Sequence, residues 1–352
     1  MANFEGGFRK YLTIVSNRLL ETAIWTFTEL GVADVLTSDK TVDELARDQN
    51  WNSDYLYRLL RLVADADIVR EIQHDGKSTK RFELTDDGLY LKSTHPSQIR
   101  EMIRWELGPR PKTESFKLPE LIRNPTKQTK DNRQIFENLH KEENQELART
   151  FNKAMTSFSI YSGEPVVRAV DFSRFNKIVD IGGGLGSLLS SILQHYPTIQ
   201  QGIIFDLPQV IEQAQTHNEL EKANIPKHRY EFVRGDMFNP TTIPHADAYL
   251  MKHILHDWND QQAIEILRSL RAANQQRQIT LFIIEFVILN DKEHDEFCKQ
   301  YVHAFDLHML ILLDAKERTS EQYQSLFEQS GFQLKTIYRT STPYSIIEAI
   351  AN

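Results

Sequence analysis

Residues 178–186 read Ile-Val-Asp-Ile-Gly-Gly-Gly-Leu-Gly, a β-branched run that ends in Asp180 and then in glycines at 182, 184 and 186. An apolar, helix-forming segment follows, from Leu185 to Tyr196. Strand, tight glycine turn and helix form a pattern in which the backbone approaches a ligand with no Cβ in the way. A dinucleotide fingerprint counted from Gly182 would place its last glycine at residue 187, which is Ser187. Here the third glycine comes one residue early. G-x-G-x-G after an apolar strand points to a nucleoside without a pyrophosphate, and S-adenosylmethionine is the commonest such ligand. The competing reading is a glycine-rich turn of purely structural use.

Other candidate ligands lie where later strands should end. Asp206 closes the apolar run Ile204-Phe205 and precedes Leu207. A carboxylate there can accept both hydroxyls of a ribose, or simply cap the next helix. Gly235, Asp236 and Met237 follow the next strand. An acid there can accept from an adenine amine, and methionine offers the ring a soft apolar face. Lys252 ends the strand after that.

That strand runs into Leu255-His256-Asp257-Trp258. Imidazole titrates near 6.5, so His256 is a candidate general base. Methyl transfer from a sulfonium is an in-line displacement on an activated carbon, so the protein must align the acceptor and take its proton. A phenol, with a pKa of roughly 10, gains most from such a base. The base in turn needs an acid to hold its tautomer. Glu285, inside the apolar strand 279–288, and Glu317, just past the helix 296–313, are the two candidates. A metal bound by His253 and His256 is disfavoured, because a strand would leave the two on opposite faces. His303 and His308 on one helix lack ligand spacing. No metal is expected.

These groups require a particular scaffold. Strand candidates at 177–181, 202–206, 230–234, 247–253, 279–288, 333–340 and 344–350 alternate with helices at 185–196, 208–217, 260–273, 296–313 and 320–330. That order predicts an α/β fold with a doubly wound, Rossmann-like parallel sheet, whose ligands bind at the carboxyl ends of the strands. The last two strands should form an antiparallel edge hairpin. The N-terminal part reads as helix, helix, helix and hairpin, a winged-helix layout. Thr41 to Glu44 is a capping box, and Asp75-Gly76 a hairpin turn. The segment between is mostly helical, with one long helix expected over 131–160 and a boundary at Gly163 and Pro165. The expected domains are 1–95, 96–165 and 166–352.

Bulk properties bound the rest. At 352 residues the chain suggests two domains. A net charge of −8 argues against a nucleic-acid partner. The single cysteine, Cys298, permits no internal disulfide and fits a reducing compartment. The first ten residues lack an apolar signal core, and the longest apolar run, Leu281 to Leu289, is short and carries Glu285. A cytoplasmic protein with no membrane partner is expected.

Taken together, these residues resemble the S-adenosylmethionine-dependent O-methyltransferases of the caffeic acid and hydroxyindole (acetylserotonin) type. The stretches Val179–Gly184, Phe205–Pro208, Gly235–Phe238, His256–Trp258 and Lys316–Thr319 occur in that family's order, over almost the whole chain. The resemblance implies S-adenosylmethionine as cofactor, S-adenosylhomocysteine as product, and a small aromatic hydroxylated acceptor. Asp180, Gly182 and Gly184 would lie along the methionine part of the cofactor. Asp206 would hold the ribose, Asp236 and Met237 the adenine, with Lys252 beside it, and Leu207 and Gly235 would also line the cofactor. His256 would be the base, Glu285 and Glu317 would bracket its ring, and Asp257 would assist near the acceptor. The winged-helix part would make a homodimer. Met155, Phe158, Phe305, His308 and Met309 are the pocket candidates, although the last three also have plain core spacing. Asp306 to Leu310 resembles the hydroxyindole branch, with His308 in place of that branch's asparagine. Asp314 and Ala315 replace the paired glycines of the plant branch.

Two other readings use the same residues. The fold could host decarboxylation, hydroxylation or a pericyclic step, against which the trio His256, Glu285 and Glu317 argues. A winged-helix regulator would read DNA with Arg58 and Arg61, and its wing would offer Lys77, Lys80 and Arg81. The leucines of that helix face a core instead, and the chain is acidic.

Overall fold

The computed structural model describes residues 2–124, 131–275, 277–288 and 296–351. The chain divides into two compact units, residues 1–112 and 113–352.

The first unit is helical with a small wing. It contains α1 (Ala2–Glu29), α2 (Val32–Val35), α3 (Val42–Gln49), α4 (Ser53–Ala64), β1 (Val69–His74), β2 (Lys77–Leu84), α5 (Asp86–Leu89) and α6 (Ile99–Glu106). Thr41 and Glu44 close the capping box of α3, and the Asn52 side chain caps α4. Asp75 and Gly76 both take positive φ, the geometry that a two-residue hairpin turn requires. Leu56, Leu60 and Val63 of α4 are buried against Phe27 of α1 and Phe82 of β2. The face that a DNA reader would need therefore belongs to the core. Arg104 of α6 pairs with Glu29 at 2.8 Å.

Helix α7 (Pro109–Ser115) crosses the division between the units. The second unit continues with α8 (Leu118–Arg123), α9 (Asn132–Leu139), α10 (Gln145–Ala169), β3 (Lys177–Ile181), α11 (Ser187–His195), β4 (Gln201–Asp206), α12 (Pro208–Thr216), α13 (Glu219–Lys222), β5 (Tyr230–Arg234), β6 (Ala248–Lys252), α14 (Asp260–Ala273), β7 (Ile279–Ile288), α15 (Glu296–Leu313), β8 (Arg318–Thr319), α16 (Ser320–Ser330), β9 (Gln333–Arg339) and β10 (Tyr344–Ala351). The sheet runs β5-β4-β3-β6-β7-β10-β9, with short β8 alongside β7. Strands β3 to β7 pair in parallel, and β10 pairs antiparallel with both β7 and β9. The final hairpin forms as expected, but its second strand inserts beside β7 and only β9 lies at the edge.

Alternation along the strands sorts the side chains into two layers. Val179, Ile203, Tyr249, Ile283 and Ile347 pack in one core with Ile266 and Leu267 of α14 and Phe327 of α16. On the other face Phe172 and Phe175 meet Phe282 edge-on.

The single helix expected over 131–160 is instead two, because Asp131 caps α9 and the chain turns at His140 before α10. Gly163 and Pro165 lie inside α10 rather than at a boundary. Glycine is needed there because a Cβ at 163 would sit 2.8 Å from the Ser191 Oγ of α11.

Candidate active site

The carboxyl ends of β3, β4, β5 and β6 gather the predicted cofactor residues. After β3 the chain turns through Gly182 at φ 67° and Gly184 at φ 55°. A Cβ at 182 would strike Ile254 at 2.2 Å, whereas one at 184 would meet nothing within 4 Å. The loop thus packs on the turn before His256 on one side and opens on the other. Asp206 is fixed at both oxygens, accepting from the Gly184 N–H at 2.9 Å and the Leu207 N–H at 2.7 Å. Each oxygen keeps a lone pair for a ribose hydroxyl. The Gly235 N–H donates to the Asp206 carbonyl at 3.0 Å. Asp236 accepts from the Phe238 N–H, and Met237 packs at the core's margin.

Asp180 and Lys252 are buried at the ends of neighbouring strands. Burial raises the Asp180 carboxyl to about 7 against the pull of Lys252. Burial lowers the Lys252 ammonium to about 8 against the pull of Asp180 and Glu285. A glycine loop with one open side, two placed acids and a buried lysine fit an S-adenosylmethionine molecule.

His140, which sequence reasoning passed over, adds a polar atom nearby. Its Nδ1 bonds to the Phe136 carbonyl at 2.9 Å, so its Nε2 is an acceptor, and that atom is buried without a protein partner.

β6 ends in a left-handed turn and a short 3-10 turn, Leu255–Asp257. His256 sits in it, buried, with Nδ1 2.7 Å from Glu317 Oε1 and Nε2 3.5 Å from Asp257 Oδ1. Burial pulls its pKa down, but Glu317, Asp257 and Glu285 outweigh that and raise it to about 9. The neighbouring carboxylates thus favour the imidazolium more than water does around an unperturbed imidazole. Burial raises Asp257 to about 7, against the pull of His256.

Glu285, expected beside the imidazole, makes its hydrogen bonds to the backbone of the turn. Its Oε1 accepts from the backbone N–H groups of Ile254, Leu255 and His256 at 3.0, 2.6 and 3.2 Å, and its Oε2 from the Tyr323 hydroxyl. The reason is register. Glu285 shares the sheet face of Ile283 and Val287, toward Tyr323 of α16, and from there it reaches the turn's backbone. It builds the turn, and Glu317 alone holds the ring by a hydrogen bond.

Two further supports escaped the sequence reading. Arg318, fully buried, donates to the carbonyls of Leu255 and Trp258, each at 2.7 Å, and to Asp260 at 3.0 Å. Asn132 at the start of α9 donates to the carbonyls of Asp257 at 2.6 Å and Leu313 at 2.9 Å. Neither residue type announces such a role, since both bond to backbone far away in sequence.

Aromatic rings surround His256. Phe305 lies parallel to His256 at 6.5 Å, meets Phe158 edge-on at 6.1 Å and lies tilted against His308 at 5.3 Å. Met309 is buried on the same helix, and Met155 is half-buried one turn before Phe158. A strand continuing through residue 253 would turn His253 away from His256. The strand stops at Lys252, however, and His253 takes φ 53°, which brings the two rings together at 4.6 Å. Among the described residues no group of three His, Cys, Asp or Glu could hold a metal ion. Among them, too, no helix is long and apolar enough to cross a membrane.

Comparison with known proteins agrees with this geometry. An O-methyltransferase domain model matches residues 125–333. The phenazine O-methyltransferase PhzM of Lysobacter antibioticus is 32% identical over 341 residues, covering 96% of this chain and 94% of that protein. The solved mitomycin 7-O-methyltransferase MmcR is similar at 28% identity and a TM-score of 0.83, over 100% of this chain and 99% of that one. A methyltransferase of calicheamicin biosynthesis, solved with SAH bound, is similar at 25% identity and a TM-score of 0.75, with 100% of each chain covered. By family model, sequence and fold, this chain belongs to the O-methyltransferase family and is an S-adenosylmethionine-dependent O-methyltransferase.

Proposed function

We propose that the enzyme methylates a hydroxyl on a small aromatic acceptor, with His256 as general base. One observation carries this reading: a buried imidazole is held at Nδ1 by Glu317 at 2.7 Å, beside a cluster of aromatic rings. Nδ1 is taken, so Nε2 is the nitrogen left for the acceptor's proton. His256 Nε2 would take the proton of the acceptor hydroxyl, whose oxygen receives the methyl group. S-adenosylmethionine supplies a methyl group already activated on a sulfonium. Asp206 and Leu207 would hold its ribose, Gly235, Asp236 and Met237 its adenine, and Asp180, Gly182, Gly184 and Lys252 the rest. His140 Nε2 would accept from a cofactor hydroxyl or amine. Asp257, beside Nε2, would orient the incoming hydroxyl.

A base with a pKa of about 9 is close to a phenol's roughly 10, so the transfer is nearly balanced. Phe158, Phe305, His308, Met309 and Met155 would clasp a flat ring. The name of the phenazine relative fits such an acceptor. We further infer a homodimer through α1, and a cytoplasmic location consistent with the single buried cysteine.

The test is His256→Ala. Turnover should vanish while S-adenosylhomocysteine still binds in calorimetry, because His256 acts on the acceptor and not on the cofactor. Retained turnover overturns the base, and lost binding overturns the division of roles. Mass spectrometry of products from a panel of hydroxylated aromatics then defines the acceptor.

A further inference from the structure

We propose that His253 is a positioning residue for methyl transfer, its imidazole serving as the plate against which the ring of His256 is set. The inference rests on the reading of His256 as the base.

Several observations converge on His253. Its backbone lies in the left-handed region at φ 53°, which costs energy for a residue with a Cβ and persists only where the surroundings hold it. The holding contact is its N–H, which donates to the Ile284 carbonyl at 3.2 Å. The conformation turns the ring under His256, with centroids 4.6 Å apart and planes within 25°. The same ring stacks with Tyr344 at 5.0 Å and 29°. Phe286 at 5.0 Å and Phe158 at 5.7 Å meet it edge-on.

Its Nε2 is buried with no hydrogen-bond partner. Leaving such an atom unpaired is unfavourable, and no hydrogen bond at Nε2 orients the ring. Its flat area is what the neighbours use.

A plate answers a specific need. The Glu317 bond pins one corner of the His256 ring but leaves it free to pivot about that bond, and histidine χ2 is a broad torsion. Contact over the ring face removes the pivot and keeps Nε2 aimed in one direction. The plate must also tolerate the imidazolium formed when His256 takes a proton. His256 faces Glu317 from the segment after α15, Asp257 on its own turn, and Glu285 from β7, while Lys252 faces His253 from the end of β6. Burial, Lys252 and His256 hold His253 neutral. A neutral aromatic face attracts a neighbouring cation, whereas a second imidazolium would repel it.

Two variants of the full-length enzyme separate this role from others. The assay uses a hydroxylated aromatic that the wild type methylates, with S-adenosylhomocysteine as the probe of the cofactor site. His253→Phe keeps the plate and removes both nitrogens. It should keep kcat within about threefold and leave the pH midpoint in place. His253→Leu removes the plate. It should lose kcat by about tenfold or more, with KM changed less than about threefold, S-adenosylhomocysteine binding intact, and the pH midpoint moved down.

The proposal is overturned if His253→Phe falls as far as His253→Leu, since a ring nitrogen then touches acceptor or cofactor. It is also overturned if His253→Leu keeps wild-type kcat and pH profile. Should His253→Leu fail to fold, His253→Asn, which also removes the ring and suits the left-handed backbone, takes its place in the same comparison. His256→Ala run alongside separates the two ideas. An inactive His256→Ala with an unaffected His253→Leu removes the plate and spares the base, and an active His256→Ala removes the base itself.

Discussion

Glu317 Oε1 lies 2.7 Å from His256 Nδ1, and both side chains are buried. A carboxylate so close stabilises the imidazolium, and with Asp257 and Glu285 it outweighs burial and lifts His256 to about 9. Only the neutral ring can accept a proton. The rate should therefore climb with pH and level off above about 9. The paired cation contributes stability fully below the unfolded pKa of roughly 6.5, and that contribution is lost as the pH rises through about 9. A pH–rate profile of kcat/KM from pH 6 to 10 tests the first statement. A flat profile would sink it.

Glu317→Gln separates the ring from its anion while keeping a hydrogen-bonding side chain. The His256 pKa should fall, moving the rising limb of the profile to lower pH. The rate on the plateau should fall by about 10- to 100-fold, because the imidazolium formed in the transfer loses its stabiliser. The shift also distinguishes ionisation of His256 from ionisation of the phenol, which no substitution in the protein alters. A limb that stays in place would assign it to the acceptor.

Glu285 serves the backbone. Three N–H donors converge on its Oε1 and the Tyr323 hydroxyl on its Oε2. Glu285→Ala would leave those buried donors unpaired, at a cost of about 3 kcal/mol or more. Tyr323→Phe should cost only about 1 kcal/mol, since it removes one bond and keeps the ring. Denaturant unfolding measures both. The expected ranking, Glu285→Ala well below Tyr323→Phe, would fail if Glu285 acted only on chemistry, because its loss would then slow turnover without lowering stability.

Asp206 joins two segments, one oxygen on the Gly184 N–H and the other on the Leu207 N–H. Asp206→Ala should weaken S-adenosylhomocysteine binding by about 100-fold, through lost ribose contacts and a loosened glycine loop. Asp206→Asn keeps one acceptor and should lose less. Calorimetry gives both values, and equal, small losses would place the ribose elsewhere.

Much of this site could be read from spacing. β3, β5 and β7 begin and end where the apolar runs do, and the helices from α14 to α16 match their apolar periods, because each element's burial is written into its own sequence. The glycine loop, Asp206 and the His256 turn followed from strand ends in the same way. What escaped detection depended on contacts between distant segments. The left-handed turn at His253 requires the Ile284 carbonyl of a neighbouring strand. The register that turns Glu285 toward Tyr323 instead of the imidazole is set by pairing with β10 and packing under α16. Asn132 and Arg318 bond to backbone carbonyls, which leave no trace in composition.

Helix α1 carries the prediction about assembly. Its apolar spacing runs from Leu12 through Phe27, yet the two ends differ. Ala23 and Phe27 are buried in the first unit's core, whereas Tyr11, Leu12, Val15 and Leu19 are each more than half exposed. These four fall at i, i+1, i+4 and i+8, on one side of the helix. An apolar stripe of this length on a helix left open to water is unfavourable, and a second copy of the same stripe is the partner that a homodimer supplies. The wild type should therefore sediment as a dimer at micromolar concentration. The double substitution Leu12→Glu and Val15→Glu places charges in the middle of the stripe and should yield a folded monomer with unchanged circular dichroism. A wild type that sediments as a monomer, or a double variant that remains a dimer, would remove α1 from the interface.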